Sequence, residues 1–350
     1  MSRPSPRAAV GSLALIAAIV AAAAAVFAYT AGWLSPDRLT PTRLVASLAP
    51  PGGPALGYRR NHAKGICFTG VFESNGGGAE LSRAQVFQPG TYPALGRFNL
   101  GTPDPKAADA TVRVRGMGLQ LATPDGEVWR MAMIDPPFFP VATPQAFYEL
   151  QMAAHSTDPG AMPAFAARHP EFAAFGRWAS TAPWTASYAD TPYHGLNAFL
   201  LIDGSGTAQA ARWSLIPQAQ AVPITQEELA KLGPDHLEKE IADRVAQAAQ
   251  RWTMVLTLAA PGDPTADPSQ MWPADRRSVD AGTLVVQRIE AEPDGPCRDI
   301  NFDPAILPGG IRVSDDPFPA ARSSAYAKSY DLRTAETAYY PYRQPAGVAR

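Results

Sequence analysis

The chain has 350 residues, 46% of them hydrophobic, and 30 basic against 32 acidic side chains leave a net charge of −2. That length suffices for one large domain or two ordinary ones, and the near-neutral balance argues against nucleic acid or an anionic membrane surface as a partner. Thirty-six prolines and 28 glycines are many for a mostly helical protein and fit short strands joined by turns.

Arg3 and Arg7 precede an uncharged run from Ala8 to Tyr29. Such a run matches the roughly 20 residues needed to cross about 30 Å of hydrocarbon as a helix. The arginines then stay on the cytoplasmic side and the rest of the chain lies outside, in the periplasm or beyond. An uncleaved anchor is the favoured reading. Its rival is a cleaved signal peptide, since small residues such as Ala28 and Ala31 suit a peptidase. The expected organisation is a cytoplasmic N-terminus at 1–7, an anchor or signal at 8–29, a short helix and linker at 30–56, one main domain at 57–343 and a tail at 344–350.

Within the linker, 35–48 starts like a helix and breaks at the run Pro50-Pro51-Gly52-Gly53-Pro54. Strand patterns follow at 65–73, 93–100, 110–122 and 127–134, the last two joined by a turn containing Asp125-Gly126. Helices are expected at 144–154 and 162–180, and a second hairpin at 193–202 and 208–217 turns across Asp203-Gly204. The segment 226–250 reads as one or two helices with Gly233-Pro234 between them. Strands at 252–258 and 282–290, a long Pro/Gly loop over 293–319 and a final helix complete the chain. Seven or eight antiparallel strands with appended helices predict one closed α+β domain. Cys67 and Cys297 are the only cysteines. They pair in an oxidising compartment or remain as two buried thiols, and the sequence leaves both open.

Four segments carry candidate chemistry. In the run from Arg59 to Gly65, His62 stands at the entrance of a strand, where an imidazole can face a cavity and move protons near neutral pH. Arg59 in the same run can bind a carboxylate. In Gly96-Arg97-Phe98-Asn99, Arg97 and Asn99 are two apart on a strand and share a face, so the amide can orient the histidine while the guanidinium pairs an anion. Phe138, Phe139 and Phe147 can wall a flat apolar ligand. In the last helix, at about 100° per residue, Arg322, Tyr326 and Arg333 fall within about 40° of one another. A phenolate beside a guanidinium can ligate iron, and tyrosine is a known axial ligand of haem. There is no CxxCH, so a haem would not be attached covalently in the c-type manner.

Together these residues resemble the haem catalase superfamily, most closely its small catalase-related peroxidase branch. The resemblance spans about 58–333. It is carried by RRNHAKG at 59–65, GRFN at 96–99, GMGLQLATPDGEVWRMAM at 116–133 with PPFF at 136–139, NFDPAILPGGIRVSDDPF at 301–318, and RSSAY at 322–326. It implies a closed antiparallel barrel of about eight strands with surrounding helices, holding a non-covalent haem b. On it, His62 is similar to the catalytic acid/base on the peroxide side, with Asn99 in the place of a serine behind the histidine. Tyr326 matches the iron ligand and Arg322 its phenolate partner. Arg59, Arg97 and Arg333 match positions that hold the haem propionates, and Phe147 lies near an aromatic that packs on the haem face.

One position departs from the family pattern. Catalases carry an asparagine just before the Pro-x-Phe-Phe stretch, and here that position is Ile134, followed by Asp135. Losing the amide removes a donor that positions peroxide; a one-residue slip would bring Asp135 in instead, as an acceptor unless protonated. The resemblance therefore implies a haem peroxidase that reduces organic hydroperoxides, and hydrogen peroxide less efficiently, with an organic electron donor, in a chain that can form homo-oligomers and that the apolar run at 8–29 anchors to a membrane. Alternatives are a haem-binding sensor or carrier with little turnover, a hydroperoxide-rearranging enzyme on the same fold, and a haem-free envelope protein.

Overall fold

The structure is a computed structural model that describes residues 6–33, 35 and 38–339. The expected cytoplasmic stretch is described only at residues 6 and 7, and the tail 344–350 lies outside the described residues. The chain forms two units, Met1–Thr40 and Pro41–Arg350. In the first, helix α1 (Pro6–Thr30) contains Val10–Thr30, with a mean hydropathy of 2.5 and none of its apolar window buried. A helix apolar on every side is long and hydrophobic enough to cross a membrane, by length and composition.

The second unit opens with α2 (Pro41–Ser47), seated against the last helix, and enters the sheet through β1 (Gly65–Ser74) and β2 (Gly90–Leu100). β3 (Arg115–Ala122) and β4 (Val128–Ile134) form the next hairpin. The sequence pattern starts β3 at 110, but Asp109–Thr111 forms a short 3-10 turn outside the sheet. There the Asp109 carboxylate accepts from Lys64 Nζ at 2.8 Å and from the Leu237 amide at 2.7 Å, which draws this segment away from the ladder.

Three helices follow: α3 (Pro144–Ala154), α4 (Ala161–Arg168) and α5 (Phe172–Thr181). Thr143 caps α3 by accepting from the Ala146 amide, with Pro144 pre-set for the first turn. The expected helix over 162–180 is two helices, because Pro170 has no amide to continue α4. A two-residue pair, β5 (Trp184–Thr185) with β9 (Pro223–Ile224), stands apart from the main sheet. The expected strand at 193–202 is likewise split, into β6 (Tyr193–His194) and β7 (Phe199–Ile202). Leu196 between them takes a left-handed φ of 41°, which turns the chain out of the ladder. β8 (Ala208–Pro217) pairs back on both.

A capping box between Thr225 and Glu228 starts α6 (Gln226–Lys231), and α7 (His236–Gln247) buries Leu237, Ile241 and Val245 against the sheet. β10 (Gln250–Leu258) and β11 (Ser278–Ala291) follow. The Pro/Gly segment at 293–319 is not all loop: β12 (Ile311–Val313) pairs with β7 before α8 (Phe318–Ala335) begins.

Hydrogen bonding runs β10-β11-β1-β2-β3-β4-β6-β8 and returns from β8 to β10, so eight antiparallel strands close into a barrel, with β7 and β12 attached at β8. Closure removes free edges. One large core holds the sheet, with Phe98 stacked on Tyr188 at 5.2 Å and near Tyr193 and Trp252. A smaller core around Phe165, Phe318 and Leu150 joins α3 and α4 to α8.

Candidate active site

His62 precedes β1 in a left-handed backbone conformation, φ 56°, which costs a non-glycine residue about 1–3 kcal/mol. Three contacts hold it there. Its amide donates to Asn61 Oδ1 at 2.9 Å, its carbonyl accepts from Arg97 Nη1 at 2.7 Å, and its Nδ1 lies 2.7 Å from Asn99 Oδ1. Asn99 in turn donates from Nδ2 to the Arg97 carbonyl at 3.3 Å, which fixes the amide with its oxygen toward the ring. An amide oxygen only accepts, so the neutral imidazole carries its proton on Nδ1 and leaves the Nε2 lone pair available. Burial, then the nearby Arg97 guanidinium, push the His62 pKa down to about 4 against the smaller opposing effect of the Asn99 hydrogen bond, so the ring is a neutral base at pH 7.

The sheet register builds this corner. Gly65 and Gly116 stand opposite Asn99 on either side. A Cβ on Gly116 would lie 2.4 Å from Asn99 Oδ1, and one on Gly65 would lie 2.6 Å from the Arg97 guanidinium carbon. Both positions must be glycine for the amide and the guanidinium to sit where they do.

Arg97 and Arg59, expected as partners of an anionic ligand, already have protein partners. Arg97 donates to the His62 and Ala63 carbonyls and pairs with Glu292 Oε2 at 2.5 Å. Arg59 pairs with Glu292 Oε1 at 3.3 Å and donates to the carbonyls of Cys297, Arg298 and Ile300. The 297 end of that segment is tied to β1, because Cys67 and Cys297 form a disulfide with 5.4 Å between Cα atoms. Of the two states the sequence left open, the bridged one is present.

From α8, Arg322, Tyr326 and Arg333 line the same cavity as His62, Arg97 and Asn99, a space of about 540 Å³. The Arg322 guanidinium carbon lies 5.9 Å from the centre of the Tyr326 ring. It is held by Asn197 Oδ1 at 2.7 Å and the Ala132 carbonyl at 3.0 Å. Asn197 Nδ2 donates to Asp316 Oδ2, and Asp316 Oδ1 accepts from the Phe318 amide at the start of α8, so one carboxylate fixes both the helix and the Arg322 partner. No hydrogen bond to the Tyr326 hydroxyl is present among the described residues. Arg333 donates to the Arg298 carbonyl at 2.5 Å. Phe147 also lines the cavity and packs on Phe139 at 5.4 Å.

At the end of β4, Ile134 lines the cavity. Asp135 does not. Its Oδ1 accepts from the Arg115 amide at 2.8 Å, its Oδ2 lies 3.6 Å from Arg113, and burial raises its pKa to about 6. Ile134 pairs with Gly116 on one side and His194 on the other, which fixes the alternation, so the slip that would bring in Asp135 does not occur.

Sequence reasoning missed Glu292, Asn197 and Asp316. Asn197 sits where alternation reads as one continuous strand, and the only local hint is Gly195 before it. Glu292 carries no motif; it becomes a partner of Arg97 through a sequence separation of 195 residues.

Residues 55–341 match the Catalase family model. A catalase-related peroxidase of Synechococcus elongatus is 34% identical over 302 residues, covering 85% of this chain and 89% of that protein. A catalase-related peroxidase of Mycolicibacterium paratuberculosis is 32% identical over 301 residues, covering 85% and 95%. A solved bacterial catalase superposes with a TM-score of 0.71 at 20% identity, over 83% of this chain and 60% of its own, so this chain spans less than two thirds of that protein and the likeness is one of fold.

Proposed function

This chain belongs to the catalase family and is an oxidoreductase of the haem peroxidase type, and from that premise we propose that it reduces organic hydroperoxides with haem b and a small organic electron donor. The carrying observation is that a base with a fixed tautomer, His62, and a tyrosine with an unengaged hydroxyl, Tyr326, line one cavity.

The residues present fit the group. Tyr326 would hold the iron, Arg322 above its ring would favour the phenolate, and Phe147 would supply a flat apolar wall. Arg97 Nε is buried without a partner among the described residues, a donor left for a carboxylate of the cofactor. When bound, the haem supplies the redox centre that takes up two oxidising equivalents from the peroxide and passes them to the donor.

This chain's own part is positioning and proton transfer. His62 Nε2 takes the proton from the hydroperoxide ROOH and delivers it to the departing oxygen, which leaves as ROH. The donor provides two electrons, two further protons enter from the donor or solvent, and the other oxygen leaves as water. The ring does not titrate near neutrality, so it is ready to accept at every turnover. Ile134 offers an apolar surface and no donor, which favours a carbon-bearing peroxide over hydrogen peroxide. The same isoleucine supports a second reading, a haem sensor with slow turnover. The apolar helix α1 supports an anchored protein with this unit outside the membrane, or a secreted one after cleavage.

The test is an absorption spectrum of the purified full chain, followed by stopped-flow mixing with cumene hydroperoxide and with hydrogen peroxide. A haem band and a fast spectral transient with the organic peroxide are expected. A spectrum without haem overturns the proposal, and a haem band with no transient selects the sensor.

A further inference from the structure

Glu292 lies just beyond the end of β11, and its two carboxylate oxygens each take one arginine, Oε1 from Arg59 and Oε2 from Arg97. Arg97 is 1% exposed and spends its Nη donors on the His62 carbonyl, the Ala63 carbonyl and Glu292. It therefore clamps the two peptide units that follow His62, the first of which sets its ψ, while Asn61 Oδ1 holds the His62 amide on the other side. The local hydrogen bond from the His62 amide to Asn61 Oδ1 leaves the carbonyl side of that φ 56° turn to Arg97. A buried guanidinium holds a fixed position only when its charge is met, and among the described residues the anion paired with Arg97 is Glu292.

The carboxylate is itself fixed. Cys67 stands directly across from Arg97 in the β1–β2 ladder, and its disulfide to Cys297 ties down the segment that follows Glu292. The carbonyls of Cys297, Arg298 and Ile300 hold Arg59, which returns to Glu292. The chain of support thus runs from the disulfide through Glu292 and Arg97 to the His62 backbone.

We propose that Glu292 is a positioning residue for His62, acting through Arg97, and that it balances the Arg59 and Arg97 charges whether or not an anionic ligand is present. The geometry stands apart from the haem reading; only its consequence for turnover rests on that reading.

The experiment compares the purified full chain with Glu292→Gln and Glu292→Asp. Amide hydrogen exchange, read by mass spectrometry on peptides spanning 59–65 and, as a control, 252–258, tests the positioning with or without haem. The Gln variant, which keeps the shape and loses the charge, is expected to speed exchange at 59–65 by about tenfold or more with the control peptide unchanged. In haem-containing protein the rate of cyanide association, which needs a proton acceptor beside the iron, is expected to fall by about tenfold or more, because small displacements of a reacting group carry large penalties. Aspartate should restore both to within about threefold of the parent. Unchanged exchange at 59–65 in the Gln variant overturns the proposal. So does exchange that rises equally in both peptides with no rescue by aspartate, which marks a merely structural carboxylate. If the parent carries no haem, the proposed function fails while the exchange comparison still decides on Glu292.

Discussion

His62 Nδ1 and Asn99 Oδ1 are 2.7 Å apart, and the acceptor-only oxygen dictates which imidazole nitrogen carries the proton. A serine hydroxyl at position 99 could donate or accept and would leave the tautomer less constrained. Asn99→Ala is therefore expected to keep the fold and lower the rate with cumene hydroperoxide about 10- to 100-fold, the usual cost of removing the group that orients a functional imidazole. His62→Ala should lose about 10²- to 10⁴-fold, the range for general acid–base catalysis. Single-turnover rates of the two variants check the order; equal losses would mean that Asn99 acts as more than an orienter.

The pH dependence follows from the same ring. Its folded pKa of about 4 lies below the ordinary 6.5, so the neutral form persists from pH 7 down to about 5 and is lost as pH falls through 4. Between 6.5 and 4 the unfolded chain binds the proton that the folded chain refuses, so this group also makes stability fall as pH decreases through that window. His194, likewise held near 4 by burial, adds to the same trend. A peroxide-reactivity profile flat above pH 5 with an acid limb near 4 is expected, and an inflection near 6.5 would contradict the buried, Arg97-shadowed ring.

Ile134 lines the cavity at the position where the family pattern has an amide. Ile134→Asn is expected to raise oxygen release from hydrogen peroxide by about tenfold or more, given what one well-placed donor contributes to a reaction. An oxygen electrode measures it directly, and no gain would show that this position does not limit dismutation.

Tyr326 has an oxygen with no hydrogen-bond partner among the described residues and a guanidinium 5.9 Å from its ring centre. Tyr326→Phe should purify without haem at unchanged fold, whereas Tyr326→His, with an imidazole that also ligates haem, should retain it with a shifted spectrum. A Phe variant with full haem and the parent spectrum would remove Tyr326 as the ligand.

The Cys67–Cys297 bridge closes 230 residues of chain. Replacing both cysteines by serine is expected to cost about 2–5 kcal/mol of stability. Thermal melting should show that loss, and haem content should fall with it, because the segment that holds Arg59 and Arg333 is released.

By itself the sequence determined what depends on near neighbours. Alternation at 65–73 and 127–134, the Asp125-Gly126 and Asp203-Gly204 turns, the apolar run at 8–29 and the Arg322–Tyr326 spacing are all local patterns, and the structure has strands, turns and helices at each. Boundaries drifted where a distant partner intervened, as at Asp109, which Lys64 and Leu237 hold out of the sheet. Tertiary structure alone decided the closure of β8 on β10, the disulfide, the turning of Ile134 rather than Asp135 to the cavity, and the pairing of Arg59 and Arg97 with Glu292. The physical reason is range. Helix and strand periodicity are written within a few residues, whereas a buried guanidinium takes whichever anion packing brings to it, and here that anion comes from about 200 residues away.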